Sequence, residues 1–211
     1  MSGANAVRED RLWQRHVDMA RLGATPKGGV NRQALSAEDA AARNLLASWA
    51  KARGFSIFTD AIGNLFVRRE GSDAAALPVM SGSHMDSQPT GGRFDGMYGV
   101  LAAFEALEAL EDAGVRTKRP VVAVAWTNEE GSRFQPGAMG SAVFAGHYTL
   151  DDMLLAKDWD GVVLKDALAS TLNAAPAPLS AGKPGFALDG YVEAHIEQGP
   201  RLENERKTIG V

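Results

Sequence analysis

The stretch Val121-Val122-Ala123-Val124-Ala125-Trp126 is a continuous apolar run rich in β-branched residues. A strand with one face in water alternates apolar and polar side chains, so an unbroken run predicts a strand that is covered on both faces. Such strands are typical of sheets that carry helices on either side. This run therefore favours an α/β fold.

Further elements are predicted upstream of this strand. Apolar residues at helical spacing predict a helix from Gly96 to Ala113. The run Leu77-Pro78-Val79-Met80 predicts a short strand that continues into Ser81-Gly82-Ser83. Alternation over residues 55–59, a turn and the run over 65–67 together predict a hairpin with a longer loop.

The first 54 residues predict two helices. The first helix would carry an apolar stripe that includes Leu12 and Val17, and it would end before Gly23. Ser36 precedes the second helix as a typical N-cap with an acidic residue three positions later, and Gly54 stands where a C-terminal glycine belongs.

The remaining elements lie downstream of the central run. They are a helix near 141–145, helical segments within 150–172 that break near 160–161, a Pro/Ala/Gly loop over 173–184 and a last strand over 191–196. Because strands alternate with helices, we expect an α/β fold with a largely parallel mixed sheet flanked by helices.

The composition excludes several classes of protein. The chain has 211 residues, with 22 Lys and Arg against 26 Asp and Glu, a formal net charge of −4 and no cysteine. Without a basic excess it would not displace the counterions of a nucleic acid, so we expect no nucleic-acid partner. The lack of cysteine excludes disulfides, thiolate catalysis and cysteine-bound zinc. The charged N-terminus is unlike a secretory signal and no apolar stretch approaches the roughly 18 residues of a membrane span, so we expect a cytoplasmic protein with no membrane partner.

Polar residues suited to metal chemistry lie at or just past the ends of three of the predicted strands. They are His84, Asp86, Asp95, Glu129, Glu130 and His195. Singly, each has an ordinary structural explanation: a hydrogen-bonded histidine, a helix N-cap or a solvated pair of carboxylates. Together, at the carboxyl ends of strands in an α/β sheet, they form the nitrogen and oxygen ligand set that suits zinc, manganese or cobalt.

The adjacent carboxylates of Glu129 and Glu130 are the most informative local feature. At the end of a buried strand they would repel each other and lose hydration, at a cost of several kcal/mol. A divalent metal removes this conflict, because one carboxylate can bind the ion while its neighbour stays a free base. Asp86 shares a strand face with His84, so it could reach the far ring nitrogen of that histidine or a neighbouring catalytic group.

Three blocks of sequence carry a resemblance to a known family. They are GSHMDSQPTGGRFDG at 82–96, TNEEGSRFQPGAMGS at 127–141 and EAHIEQGPRLE at 193–203, accompanied by Gly29-Val30, Arg32, Asp60 and Gly63-Asn64. With these blocks the chain resembles, over nearly its whole length, the M20 metallopeptidase-like amidohydrolases. Within them it resembles the hydantoinase/carbamoylase branch, which includes N-carbamoyl-L-amino-acid hydrolase, allantoate amidohydrolase and β-ureidopropionase. The implied fold is the zinc-aminopeptidase-like catalytic domain.

The resemblance implies a centre with two divalent metal ions, zinc or manganese, with cobalt or nickel as alternatives. His84 and His195 would be ligands of the first ion and Glu130 a ligand of the second. Asp95 would bridge the two ions.

The resemblance also implies the chemistry. Glu129 would be the general base: it would take a proton from a metal-bridging water that attacks a ureido, carbamoyl or amidine carbon, and return it to the leaving nitrogen. Asp86 would be the acid behind the site, and Gln198 would line the region of a small-molecule substrate. The implied protein is a metal-dependent hydrolase of linear C–N bonds.

Members of this family are about twice as long, as two-domain enzymes are. We therefore expect residues 1–211 to be the N-terminal part of the catalytic domain, C-terminally truncated, with apolar surface exposed where the remainder would pack. The lid/dimerisation domain and a C-terminal catalytic segment with the last histidine ligand would lie outside it, and full-length relatives would be homodimers. The alternatives are an M20-type dipeptidase or aminoacylase, and a truncated, catalytically inactive metal-binding fragment.

Overall fold

The computed structural model describes residues 3–174, 180–182 and 184–211. Its strands are β1 (Ser56–Asp60), β2 (Leu65–Arg69), β3 (Val79–His84), β4 (Val121–Trp126), β5 (Ser180–Gly182) and β6 (Gly190–Val192). A 3₁₀ turn at Gly3–Ala6 precedes the helices α1 (Glu9–Met19), α2 (Ala37–Ala52), α3 (Met97–Asp112), α4 (Met139–Phe144), α5 (Leu150–Leu154), α6 (Leu164–Asn173) and α7 (Arg201–Asn204).

The strands form one mixed sheet in the order β5-β1-β2-β4-β3-β6. Strand β2 is antiparallel to both of its neighbours, β1 and β4, and a short turn joins it to β1 as a hairpin. The other neighbouring pairs of the described sheet are parallel. The α/β fold with a largely parallel mixed sheet is therefore confirmed.

Strand β4 is covered on both faces, as its unbroken apolar sequence predicts. On one face Ala123 and Ala125 belong to a core built with residues of α2 and α3. On the other face Val122 and Val124 lie in a second cluster, against which Phe144 of α4 packs. Burial on both faces explains why this strand shows no polar alternation.

The parallel pairing of β3 with β4 sets the position of the polar residues that follow them. His84, the last residue of β3, lies in register with Trp126, the last residue of β4. The chain therefore leaves both strands at the same edge of the sheet, where open α/β sheets bind their ligands.

Buried ion pairs attach the N-terminal helix to α3. The Arg11 Nε atom lies 2.7 Å from Glu105 Oε2, and Arg15 Nη2 lies 2.7 Å from Glu108 Oε1. Both acidic side chains are only 2% exposed. A buried carboxylate without its partner is costly, so these pairs fix α1 against the helix that begins beside the polar edge.

The predicted helical elements agree with the structure apart from small shifts of their ends. Ser36 caps α2, with its side chain accepting a hydrogen bond from the Asp39 backbone N–H. The helix expected near 141–145 is α4, which begins two residues earlier. The two helical segments expected within 150–172 are α5 and α6, and the chain between them contains the predicted break at 160–161.

Two predictions in the C-terminal region are wrong. The last strand ends at Val192 instead of 196, because β3 pairs with it only from Val79 to Ser81, after which the chain turns away from the ladder. The loop expected over 173–184 contains strand β5, whose short Ser-Ala-Gly sequence gives no strand pattern but pairs in parallel with β1. The rest of that loop includes residues 175–179 and 183, which lie outside the described residues.

Strand β6 forms an edge of the described sheet and exposes apolar side chains. Val192 is 66% exposed, and Ile196 in the segment after the strand is also exposed. Nothing in the described structure covers these side chains, so the packing of a further segment here stays a prediction. Within the described ranges, no helix is long and apolar enough to cross a membrane.

Candidate metal centre

Three of the predicted site residues converge at the carboxyl edge of the sheet. His84 ends β3, Asp95 lies just before α3, and His195 follows β6. One potential ligand atom from each of the three lies within 4.8 Å of the others. The His84 and His195 Nε2 atoms are 3.5 Å apart, and Asp95 Oδ1 lies 3.3 Å from His195 Nε2 and 3.9 Å from His84 Nε2. Two imidazole nitrogens and a carboxylate oxygen thus face one point.

The ring of His84 is fixed from behind. Its Nδ1 atom lies 2.8 Å from the backbone carbonyl oxygen of Asp86. Because a carbonyl oxygen only accepts hydrogen bonds, Nδ1 carries the hydrogen and is the donor. This leaves Nε2, on the other side of the ring, as a lone-pair donor toward the cluster. Burial alone would lower the pKa of His84, but the charges of Asp86 and Glu129 outweigh it and the pKa is raised. The surroundings of this ring therefore favour positive charge.

Gly96 allows the polypeptide to pass directly beside the His84 ring. Its φ angle is +62°, and a Cβ atom built at this position would collide with the imidazole at Nε2, Cδ2 and Cε1. A side chain at this position would therefore occupy the space in front of His84 Nε2 that a bound metal ion requires. This explains why glycine follows Asp95 in the sequence.

Asp86 supports the loop after β4. Its two carboxylate oxygens accept the backbone N–H groups of Glu129 and Glu130, each at 3.2 Å. Burial raises the pKa of Asp86 to about 6. Its Oδ1 atom lies 3.8 Å from His84 Nδ1, beyond hydrogen-bond distance. Of the two expected partners, the carboxylate therefore binds the segment of Glu129 and Glu130 and not the histidine ring.

The two adjacent glutamates point to different partners. Glu129 Oε2 lies 3.3 Å from His84 Nε2, and its side chain is 38% exposed. Glu130 Oε2 accepts a hydrogen bond from Gln88 Nε2 at 2.7 Å. This separation relieves the repulsion that the sequence predicts. In the part of the chain that the structure describes, Glu130 lies outside the compact group formed by the two histidines and Asp95.

Gln198 binds a carboxylate of the cluster. Its Nε2 atom donates to Asp95 Oδ2 at 2.7 Å, and its φ angle is +56°. The residue therefore lies at the mouth of the site, and lining a substrate region stays a prediction.

Two residues of the site were assigned no role from the sequence. Gln88 contacts Glu130, and the buried Arg32 donates to the backbone carbonyl of Met85, between His84 and Asp86, at 2.7 Å. Gln88 lies in the block at 82–96 and Arg32 is one of the residues that accompany the blocks, but a single polar residue outside a periodic pattern gives no indication of its partner. Only the fold brings Arg32 to Met85, 53 positions along the chain.

The residues present fit a divalent metal ion. The cluster offers imidazole nitrogens and carboxylate oxygens, which suit zinc and manganese. Two carboxylate oxygens, Asp95 Oδ1 in the cluster and Glu130 Oε1 in the loop after β4, are buried without a hydrogen-bond partner among the described residues. A buried carboxylate oxygen left unpaired is costly, and a bound cation would compensate it.

Comparison with known proteins identifies the family of the chain. Residues 80–211 match the family model of peptidase family M20/M25/M40. N-carbamoyl-L-amino-acid amidohydrolase from Rhizobium meliloti is 45% identical over 205 residues, which are 97% of this chain and 48% of that protein. N-carbamoyl-L-amino acid amidohydrolase from Geobacillus stearothermophilus is 41% identical over 97% of this chain and 50% of its own length.

A solved structure extends the likeness to the fold. A hydantoinase/carbamoylase family amidase from Burkholderia ambifaria superimposes with a TM-score of 0.91 and 51% identity, over 97% of this chain and 49% of that one. The chain thus spans about half the length of the relatives it matches. It belongs to peptidase family M20/M25/M40, a family of metal-dependent hydrolases, and its relatives there are amidohydrolases of the hydantoinase/carbamoylase type.

Proposed function

We propose that this chain supplies most of the metal centre and the general base of a hydrolase that cleaves linear C–N bonds in ureido or carbamoyl compounds. N-carbamoyl-L-amino acids and allantoate are the candidate substrates. The observation that carries the proposal is the convergence of His84, Asp95 and His195, with the Glu129 carboxylate 3.3 Å from the His84 ring. A metal-binding group with a partly exposed carboxylate at its edge is the arrangement that hydrolysis by activated water requires.

The metal-binding roles follow from the donor atoms. His84 and His195 would hold one divalent ion through their Nε2 atoms, and Asp95 would bridge it to a second ion held by Glu130. Bound zinc or manganese ions would lower the pKa of a water molecule and polarise the substrate carbon. The orphaned oxygens of Asp95 and Glu130 support these assignments.

Glu129 would move the proton. Its side chain is partly exposed, so a substrate can reach it, and its backbone N–H is held by Asp86. The carboxylate would accept a proton from the attacking water and deliver it to the nitrogen that leaves. For an N-carbamoyl amino acid, water adds to the ureido carbon and the bond to the amino-acid nitrogen breaks. The carbamic acid that forms then decomposes to ammonia and carbon dioxide.

The test compares this chain and a full-length relative on N-carbamoyl-L-amino acids and on allantoate, each with added Mn²⁺ or Zn²⁺. We expect turnover by the full-length protein, and we expect Glu129→Gln to lower kcat by a factor of about 10² to 10⁴ without abolishing metal binding. Full activity in the Glu129→Gln variant would contradict the assignment of the base.

The same assay separates the alternatives. Hydrolysis of dipeptides or N-acyl amino acids in preference to carbamoyl substrates would indicate a dipeptidase or aminoacylase. Because the chain spans about half of its relatives' length, metal binding without turnover in this chain is the behaviour of an inactive fragment. If the 211-residue chain turns over substrate and Glu129→Gln abolishes this turnover, the chain is not an inactive fragment.

A further inference from the structure

We propose that Glu193 is a positioning residue that holds His195 beside His84, an inference that rests on the proposed metal centre. Glu193 lies one residue beyond β6 and two residues before His195. None of the ligand or base roles above involves it. Its side chain nevertheless joins the segment that carries one histidine to the strand that carries the other.

Both carboxylate oxygens of Glu193 accept hydrogen bonds. Ser83 Oγ donates to Oε1 at 2.5 Å, and the Tyr191 hydroxyl donates to Oε2 at 2.7 Å. Ser83 is fully buried and directly precedes His84. Because one carboxylate accepts both bonds, it is well suited to fix the segment after β6 against the end of β3.

Tyr191 extends the connection to a third strand. Its hydroxyl oxygen accepts a hydrogen bond from Trp126 Nε1 at 2.9 Å, and Trp126 is the last residue of β4. Burial and the bond to Glu193 raise the pKa of Tyr191, so its hydroxyl remains a donor at neutral pH. The ends of β3, β4 and β6 are thus joined through one carboxylate.

This connection is needed because the backbone ladder stops before the histidine. The last pair between β6 and β3 is Val192 with Ser81. Three residues of extended chain span about 10 Å, so pairing at Val192 alone leaves His195 free to move by more than a metal site tolerates. Glu193 makes the next contact with β3 after that pair, within the residues that the structure describes.

The test is a Co²⁺ titration of the 211-residue chain, followed by visible absorption, which reports ligand number and geometry. We expect Glu193→Ala to weaken Co²⁺ binding about ten-fold and to change the spectrum, as loss of a residue that orients a metal ligand does. Glu193→Gln introduces an amide that can bond both hydroxyls. The Co²⁺ affinity of this variant should therefore lie between those of Glu193→Ala and the unaltered chain.

A matched control and a double variant separate positioning from a general structural role. Glu197 lies in the same segment, but its carboxylate accepts the backbone N–H groups of Arg201 and Leu202 and does not contact β3. Glu197→Ala removes the same charge and should leave Co²⁺ affinity close to that of the unaltered chain. In a His195→Ala background, Glu193→Ala should cause no further loss, because its effect acts through His195.

Each result decides the question. Unchanged Co²⁺ affinity in Glu193→Ala, or an equal loss in the presence and absence of His195, would overturn this inference alone. Tyr191→Phe gives a milder check if Glu193→Ala fails to fold: it should weaken binding in the same direction, and unchanged binding would again overturn the inference. Failure of the unaltered chain to bind Co²⁺ would overturn the proposed metal centre and this inference with it.

Discussion

Asp60 is a buried carboxyl group behind the loop that carries the glutamates. Its oxygens accept hydrogen bonds from the backbone and side-chain nitrogens of Asn64, at 2.9 and 2.8 Å. Asn64 in turn accepts the backbone N–H of Thr127 at 2.9 Å and donates to the Gly140 carbonyl at 3.0 Å. This network fixes the start and the end of the segment that contains Glu129.

Asp60 gives a prediction about pH. Burial raises its pKa from 3.8 to about 6, so the folded protein favours the neutral carboxyl group. Its contribution to stability is therefore complete below the unfolded pKa and is lost as pH rises through the folded pKa. Relative to the unaltered protein, Asp60→Asn should gain about 2 to 3 kcal/mol in the free energy of unfolding between about pH 4 and pH 7.

Urea unfolding at several pH values would measure this gain. The same substitution at the exposed Asp160 is the control, because water surrounds that carboxyl group in both states. A stability difference for Asp60→Asn that is the same at every pH would contradict the prediction.

The residues of the site differ in how far the sequence reveals them. His84, Asp95 and His195 could be found because each lies near the end of a predicted strand or at the start of a predicted helix, and because the blocks around them resemble a family. The partners of Arg32 and Glu193 could not be predicted, since they depend on hydrogen bonds across 53 and 110 positions of the chain. Contacts of that kind follow from tertiary structure and leave no local pattern.

Helix α3 packs closely on the strands at Gly99. A Cβ atom at this position would lie 2.7 Å from Ser83 Cβ and would collide with the carbonyl oxygen of Ala194, the residue before His195. Glycine is therefore required where the helix, β3 and the segment after β6 meet.

Gly99→Ala brings two effects into opposition. Alanine favours a helix interior over glycine by about 1 kcal/mol. Overpacking against backbone typically costs about 1 to 3 kcal/mol, and here it would displace the Ala194 carbonyl. We expect the steric effect to dominate, with lower thermal stability and weaker metal binding.

Calorimetry on the variant with and without Zn²⁺ measures both quantities. Gly190→Ala is the matched control, since a Cβ atom at that position of β6 would meet nothing within 4 Å. An increase in stability for Gly99→Ala would show that helix propensity prevails and that the contact is looser than described.

The presence of most helices and strands was more predictable from the sequence than the residues at which they begin and end. The unbroken run of β4 and the capped helix α2 were evident because burial and capping leave local patterns. Strand β6 was predicted too long and β5 was missed, because the pairing partner, not the sequence of the strand itself, determines where a short edge strand begins and ends.

The whole chain should gain stability from the metal. The candidate ligands come from segments after β3, after β4 and after β6, so only the folded chain brings them together. Binding to the folded form alone stabilises it by about 2.7 kcal/mol at a free metal concentration of 100 times Kd. We expect Zn²⁺ to raise Tm and a chelator to reverse the change.

His84→Ala is the informative variant for this prediction. It should keep the fold but lose most of the Zn²⁺-dependent increase in Tm, which differential scanning calorimetry would record. An equal increase in the variant and the unaltered chain would mean that zinc binds elsewhere.

At the scale of the whole molecule, the family and the sheet are the most predictable features. The family, the sheet and most of the candidate ligands follow from 211 residues that span about half of the matched relatives. Substrate selectivity and the expected last ligand of the second metal ion do not, since neither has a counterpart among the described residues that the resemblance identifies.

The most direct test of the proposed centre is the location of zinc in crystals of the Zn²⁺-loaded chain, determined by anomalous scattering at the zinc edge. The geometry predicts a peak between the Nε2 atoms of His84 and His195 and the Oδ1 atom of Asp95. That peak should disappear in His195→Ala crystals grown with the same metal. Zinc bound at another place, or a fully loaded chain with no peak among these three residues, would contradict the account.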